Sequence, residues 1–337
     1  MSENTTGITA GSAALEAYRA PWWLKNRHLH TIYAALSGRR LARPALRRER
    51  WDAPDGDFVD VDFLDGPAQS PLVVLFHGLE GSSASHYAGA MARQVAACGW
   101  RFALPHFRGC SGEPNRLPRA YHSGDSDEID WLLQRFSGLA GEGGVFAAGV
   151  SLGGNALLKW LGEPGRERGR VQAAAAVSAP LDLQLSGDGL ALGFNRIYTR
   201  MFLATMKSRS EDKLARHPGI FDAQAMRVSR TLREFDNVVT APLHGFRDTD
   251  DYWSRASSLP LLRNIALPTL IINALDDPFV PLAALPDPAS LPDCITAEFP
   301  AEGGHVAFVS GAFPGHLDWL PRRLLRHFRA AVRTDHA

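Results

Sequence analysis

Short apolar runs separated by amphipathic stretches dominate the chain. "PLVVLFHG", "RFALPHFRG", "GVFAAGV", "VQAAAAVSA" and "LPTLIINA" hold their apolar residues in short runs, and "ITAEFP" is read as a further short strand of this type. That is the pattern of strands covered on both faces, as in a parallel sheet. Helical patterns lie between several of them: "HYAGAMARQVAACG", "DSDEIDWLLQRF" and "NALLKWLG". Strands alternating with helices predict an α/β fold with a mostly parallel central sheet and helices on both faces. Upstream, "RRERWDAPDGDFVDVDFL" reads as a hairpin. "PDGD" supplies its turn, and "FVDVDFL" alternates apolar and polar residues at the strand period.

The alternation stops after "SAPLDL" and resumes at "LPTLIINA". The intervening residues 183–264 predict a helical cap inserted after the sixth strand. Within it, Leu190, Phe194, Ile197, Tyr198 and Met201 recur at helical spacing. Leu190, Phe194, Ile197 and Met201 are therefore candidates to line an acyl pocket; the same stripe also suits packing of a helix on the core. The expected organisation is a polar arm over 1–19, a core over 20–182 and 265–333, and the cap between. "PWWLKNRHLHTIYAAL" has an apolar rhythm suited to packing on the domain surface, with contact to a membrane interface as the alternative, and "RRLARPALRRER" reads as a solvated basic face, with a phosphate- or lipid-facing patch as the alternative.

The composition is that of an ordinary globular chain: 337 residues, 45% hydrophobic, 21% charged, no net formal charge. Neutrality gives no case for nucleic acid as a partner. Three widely spaced cysteines, Cys98, Cys110 and Cys294, form no C-x-x-C pair, so neither a disulfide framework nor a zinc site is expected. No stretch approaches the roughly 20 apolar residues that span a bilayer, and the N-terminus lacks the pattern of a signal peptide. A cytoplasmic location is the expectation. Oligomeric state is not legible.

"GVSLGG" changes the picture from fold to chemistry. In a chain with 31 glycines the G-x-S-x-G string alone is weak. Its setting is specific: Ser151 ends a buried-type strand and opens a helix, as a nucleophile elbow requires. A serine hydroxyl needs a base, and the base needs an orienting acid, following in the order Ser, Asp or Glu, His. "LIINALDDPFVP" offers Asp276 and Asp277 directly after a late strand, and the phrasing "DPFVP" favours Asp277. Asp276 then caps the loop or faces solvent. "EFPAEGGHVAFV" places His305 on a loop before the final helix. The backbone N–H groups of Leu152, after the nucleophile, and of Leu79, in "LFHGLEGSSASHY", are the candidate oxyanion donors. His77 reads as a brace for that loop. No motif calls for a metal or organic cofactor.

With these residues assembled the chain resembles the α/β-hydrolases. More narrowly, it resembles the YheT-type hydrolases, relatives of the mammalian membrane-anchored α/β-hydrolases that act on lipid esters. The likeness runs from "PWWLKNRHLHTIY" to the final helix, and its most specific blocks are "HGLEGSSASHY", "FRGCSGEPNR", "YHSGDSDEID", "GVSLGGNALLKWLG" and "NALDDPFVP". The resemblance implies a serine hydrolase of carboxylic esters with its triad on Ser151, Asp277 and His305, no cofactor, and a small-molecule acyl ester as partner. The mammalian members carry an N-terminal membrane anchor for which no counterpart is read here, so membrane-embedded phospholipid is not the expected substrate. Thioester hydrolysis, amide hydrolysis and acyl transfer would use the same triad, and a non-catalytic binding protein would keep the fold alone.

Overall fold

The computed structural model describes residues 17–38 and 42–334. Most of the polar arm expected over 1–19 lies outside them. Eight strands form one sheet: β1 (Arg47–Asp52), β2 (Phe58–Leu64), β3 (Leu72–Phe76), β4 (Arg101–Pro105), β5 (Val145–Val150), β6 (Ala173–Val177), β7 (Thr269–Ile272) and β8 (Ile295–Glu298). Their spatial order is β1-β2-β4-β3-β5-β6-β7-β8. The hairpin β1–β2 is antiparallel and β2 joins β4 antiparallel; all other pairings are parallel.

The consecutive apolar runs exist because alternate residues of each strand enter two different cores. Val73, Leu75, Phe146 and Ala148 face one way, onto α2 (His86–Ala97) and the final helix α11 (Trp319–Thr334). Val74, Phe76, Val145 and Ala147 face the other way, onto α3 (Ser126–Ala140) and α4 (Leu152–Gly162). The leading helix α1 (Arg27–Ser37) starts at Asn26, whose side chain accepts the amides of His28 and Leu29.

The apolar and polar alternation of β2 does not leave one of its faces in water. Its polar residues Asp60 and Asp62 are as buried as their apolar neighbours. The cross-strand arginines cover them: Arg50 Nε donates to Asp60 at 2.7 Å and Arg48 Nε to Asp62 at 2.7 Å. His106 Nε2 also meets Asp62 at 2.8 Å. Part of the basic stretch expected to be solvated is thus a lid of ion pairs over an acidic strand.

Between β6 and β7 the described residues hold no strand. They form α5 (Leu183–Leu190), α6 (Asn195–Arg216), α7 (Ala223–Val228), α8 (Leu232–Phe235), a π-helical turn over Asp236–Thr240, α9 (Ala241–Leu243) and α10 (Thr249–Ala256). No helix among the described residues is long and apolar enough to cross a membrane.

Candidate active site

The strand order reverses between β4 and β5, on either side of β3. In an open α/β sheet the crevice at such a reversal, outside the carboxyl ends of the strands, is where groups converge on a ligand. The loops that leave β3 and β5 carry Leu79 and Ser151 to that place.

Ser151 stands between β5 and α4 with φ 52° and ψ −119°, a conformation that costs a non-glycine residue free energy. The turn is possible because of its flanking glycines. A Cβ on Gly149 would lie 2.4 Å from the Gly153 carbonyl oxygen, and one on Gly153 would lie 2.5 Å from the carbonyl oxygens of Phe76 and His77. Either contact is too close for any side chain, so the backbones of β3, β5 and α4 meet only with glycine at both positions. The Ser151 N–H is tied to Val177 O at 2.8 Å.

His305 Nε2 lies 3.1 Å from Ser151 Oγ, and its Nδ1 lies 2.9 Å from Asp277 Oδ2. Asp277, on the loop after β7, has a fully buried side chain and also accepts the Phe279 amide at 2.8 Å. A carboxylate at Nδ1 selects the tautomer with hydrogen on Nδ1, which leaves Nε2 free to accept from the serine hydroxyl. The Phe279 ring, 4.2 Å from the imidazole between centroids, covers one side of it. Four side chains hold the histidine loop. The Gly304 amide donates to Asp276 Oδ1 (2.9 Å), the His305 amide to Thr31 Oγ1 (3.0 Å), and the Val306 amide to Ser178 Oγ (3.2 Å), while His86 Nε2 donates to Val306 O (3.0 Å). The adjacent acid pair is thereby divided: Asp277 meets the imidazole, and Asp276 meets the loop backbone.

The amides near Ser151 are unevenly used. Gly78 N–H donates to Tyr87 Oη and Glu80 N–H to Tyr121 Oη, each at 2.9 Å. Leu79 N–H, between them, has no acceptor among the described residues. Leu152 opens α4, where the first amides lack intrahelical acceptors. His77 braces this corner. Phe107 N–H donates to its Nε2 (3.0 Å), so Nδ1 carries the hydrogen donated to Gly78 O (2.7 Å). Burial pushes the His77 pKa down to about 3, and the ring is neutral.

Glu80 itself has φ 56°. Its carboxylate accepts from Tyr121 Oη at 2.8 Å and pairs with Arg209 Nε of α6 at 3.2 Å. The loop that presents Leu79 is therefore fastened to the helical segment. Sequence reasoning missed Glu80, Tyr121, Arg209 and Thr31. Glu80 and Tyr121 lie within the "HGLEG" and "YHSGD" blocks, but nothing in the order of the chain pairs them.

Ser151, His305, Leu79 and Leu152 open onto a cavity of about 390 Å³. Its apolar wall includes Leu183, Leu190, Phe202, Met206, Leu232 and Phe279. Of the four candidates for the acyl pocket, Leu190 lies in this wall. Phe194, Ile197 and Met201 do not; they are exposed, Phe194 just before α6 and the other two on its side away from the cavity. The reason is helical phase. Phe202, Met206, Arg209 and Lys213 follow one another at spacings of four, three and four, and that row faces the cavity, turned away from the row read in the sequence. Among the described residues, no group of three or more His, Cys, Asp or Glu side chains is arranged to hold a metal ion.

A family model described as the alpha/beta hydrolase fold matches residues 71–312, and the chain belongs to that family. Within it, the chain is 40% identical over 304 residues to the candidate esterase YheT of Escherichia coli K12, across 89% of each chain. Human phospholipase ABHD3 is 27% identical over 320 residues, 89% of this chain and 77% of that protein. Among solved structures, Est1E from Butyrivibrio proteoclasticus with bound ferulic acid superposes with a TM-score of 0.55 at 15% identity, over 85% of this chain and 99% of its own. That likeness is one of fold.

Proposed function

We propose that the protein hydrolyses carboxylic esters of short- to medium-chain acyl groups through a covalent acyl-enzyme on Ser151. The observation that carries this reading is the hydrogen-bond chain from Ser151 Oγ through His305 to Asp277 at the edge of an apolar cavity. His305 takes the serine proton as Oγ attacks the ester carbonyl, and Asp277 holds the ring and stabilises its charged form. The Leu79 and Leu152 amides receive the oxyanion; such donors act where charge develops and need no rearrangement during the reaction. His305 then protonates the departing alcohol. Water, deprotonated by the same imidazole, releases the acid and restores Ser151. Residues 183–264 act as the cap, whose Leu190, Phe202 and Met206 hold the acyl chain. The esterase and phospholipase names of the relatives agree with this chemistry.

The test is a kcat/KM series on p-nitrophenyl esters from acetyl to palmitoyl, beside acyl-CoA thioesters and p-nitroanilides. The expected optimum lies at short or medium acyl esters, and Ser151→Ala lowers kcat by ~10⁴-fold or more. A preference for thioesters or anilides would reassign the reaction on the same residues. Full activity in Ser151→Ala would remove it from them.

A further inference from the structure

The helix row turned away from the cavity belongs to a surface of its own. Leu192 and Phe194 lie in the turn before α6, Ile197 and Met201 follow in its first two turns, and Met201 is 64% exposed. α1 adds Leu29, 60% exposed. The two helices touch through His28, whose ring lies 4.4 Å from Phe194 and whose Nδ1 lies 3.3 Å from Tyr198 Oη. Single exposed apolar residues are ordinary, but five on α1, α6 and the turn that leads into α6 form the kind of patch that marks an interaction site.

The two segments that carry the patch are charged with one sign only. Residues 17–38 and 189–210 contain no Asp or Glu. Lys25, Arg27, Arg196 and Arg200 are exposed, and none pairs with an acid among the described residues. Elsewhere on the surface Arg47, Arg227 and Arg233 are bound to carboxylates. The Arg27 charge, after burial, depresses the His28 pKa, which ties this cation to the patch. Arg196 and Arg200 each precede an apolar member, Ile197 and Met201, and lie one turn apart.

We propose that this surface seats the protein on an anionic lipid bilayer, with the apolar side chains entering the headgroup layer and the four cations meeting lipid phosphates. Amphipathic helices bind such interfaces by this combination, and each cation near an anionic leaflet strengthens binding by roughly fivefold. A second copy of the chain fits less well, because an isologous contact between these two acid-free segments sets cations against cations. The surface adjoins the reacting groups. Tyr198 packs on Phe279, which covers His305, and Thr31 of α1 holds the His305 amide. The proposal concerns where the protein sits and does not rest on which ester it cleaves.

Ser151→Ala protein, which leaves lipid intact, is sedimented with vesicles of phosphatidylcholine alone or mixed equally with phosphatidylglycerol. Expected is partition onto the anionic vesicles that weakens with added salt, and little onto phosphatidylcholine. In the same background Arg196→Gln with Arg200→Gln lowers partition roughly 30-fold. Phe194→Ser with Met201→Ser also lowers it, and both pairs keep the parent melting temperature. Equal partition onto the two vesicle types, unchanged partition in both variant pairs, or a dimer by light scattering that these substitutions dissociate would each overturn the proposal.

Discussion

Ser151, Asp277 and His305 stand on loops that leave β5, β7 and β8, while much of the cavity wall comes from the helices between β6 and β7. The two regions are held in different ways. The loops at the sheet edge are fixed by backbone contact too close for a side chain at Gly149 and Gly153, and by short bonds to loop amides. The helices are joined to the core through long side chains. Lys213 of α6 donates to Asn115 Oδ1 and to the carbonyls of Leu117 and Arg119, and Arg209 reaches Glu80. Under the proposed function, groups that must meet within a fraction of an ångström sit on the first kind of support, and a wall that must admit substrates rests on the second.

The sheet edge should be the more sensitive of the two regions. Asp277→Asn should lower kcat by about 10³–10⁴-fold, because the imidazole loses its tautomer and its counter-charge. Asp276→Asn, which keeps an acceptor for the Gly304 amide, should stay within about tenfold. Steady-state kinetics of the two variants checks this, and a larger loss at Asp276 would exchange their roles.

Acid should separate the regions next. Burial holds His77 at about 3 and His86 at about 4, both below an unfolded value near 6.5. Their contribution to stability is complete above pH 6.5 and is lost as pH falls toward those values. Asp236, in the π-helical turn, goes the opposite way. Burial raises it to about 6, so its contribution is complete below the unfolded value near 3.8 and is lost as pH rises through 6. From pH 7 to pH 5 the two histidines together cost about 4 kcal/mol and the aspartate returns about 1 kcal/mol. Calorimetric melts should therefore show a clear net fall. A flat profile would mean that the histidines are not held neutral.

The link between the regions is the Glu80–Arg209 pair. Glu80→Gln and Arg209→Gln should each lower kcat about tenfold with KM little changed, since they loosen the loop that presents Leu79. The double variant should be no worse than the poorer single, as a shared function requires. Multiplicative losses would show that the two act separately. The smallest effect concerns the wall. Phe202→Ala and Met206→Ala should shift acyl-chain preference by a few-fold in kcat/KM, whereas Ile197→Ala and Met201→Ala should leave it unchanged.

Legibility followed the same division. The inner parallel strands are readable because burial on both faces leaves an uninterrupted apolar signature, and "GVSLGG" is readable because steric demand writes glycine on both sides of the serine. The meeting of Ser151, Asp277 and His305 follows from chain order, since parallel strands bring their following loops to one edge. Helical phase does not follow from spacing alone. α6 carries apolar residues on more than one face, and how it rotates depends on contacts made far along the chain, such as Lys213 with Asn115. The burial of Asp60 and Asp62 was hidden for a related reason, because their alternation looks the same whether water or arginine covers them. Thr31 gave no signal at all, being one polar residue on a helix more than 250 positions before the histidine it holds.

The central claim is that Ser151, activated by His305, is the nucleophile. It is tested most directly by treating the folded protein with a fluorophosphonate ester and mapping the adduct by peptide mass spectrometry. One adduct is expected, on Ser151, absent in Ser151→Ala and strongly slowed in His305→Ala. An adduct on another residue, or none on folded protein, would contradict it.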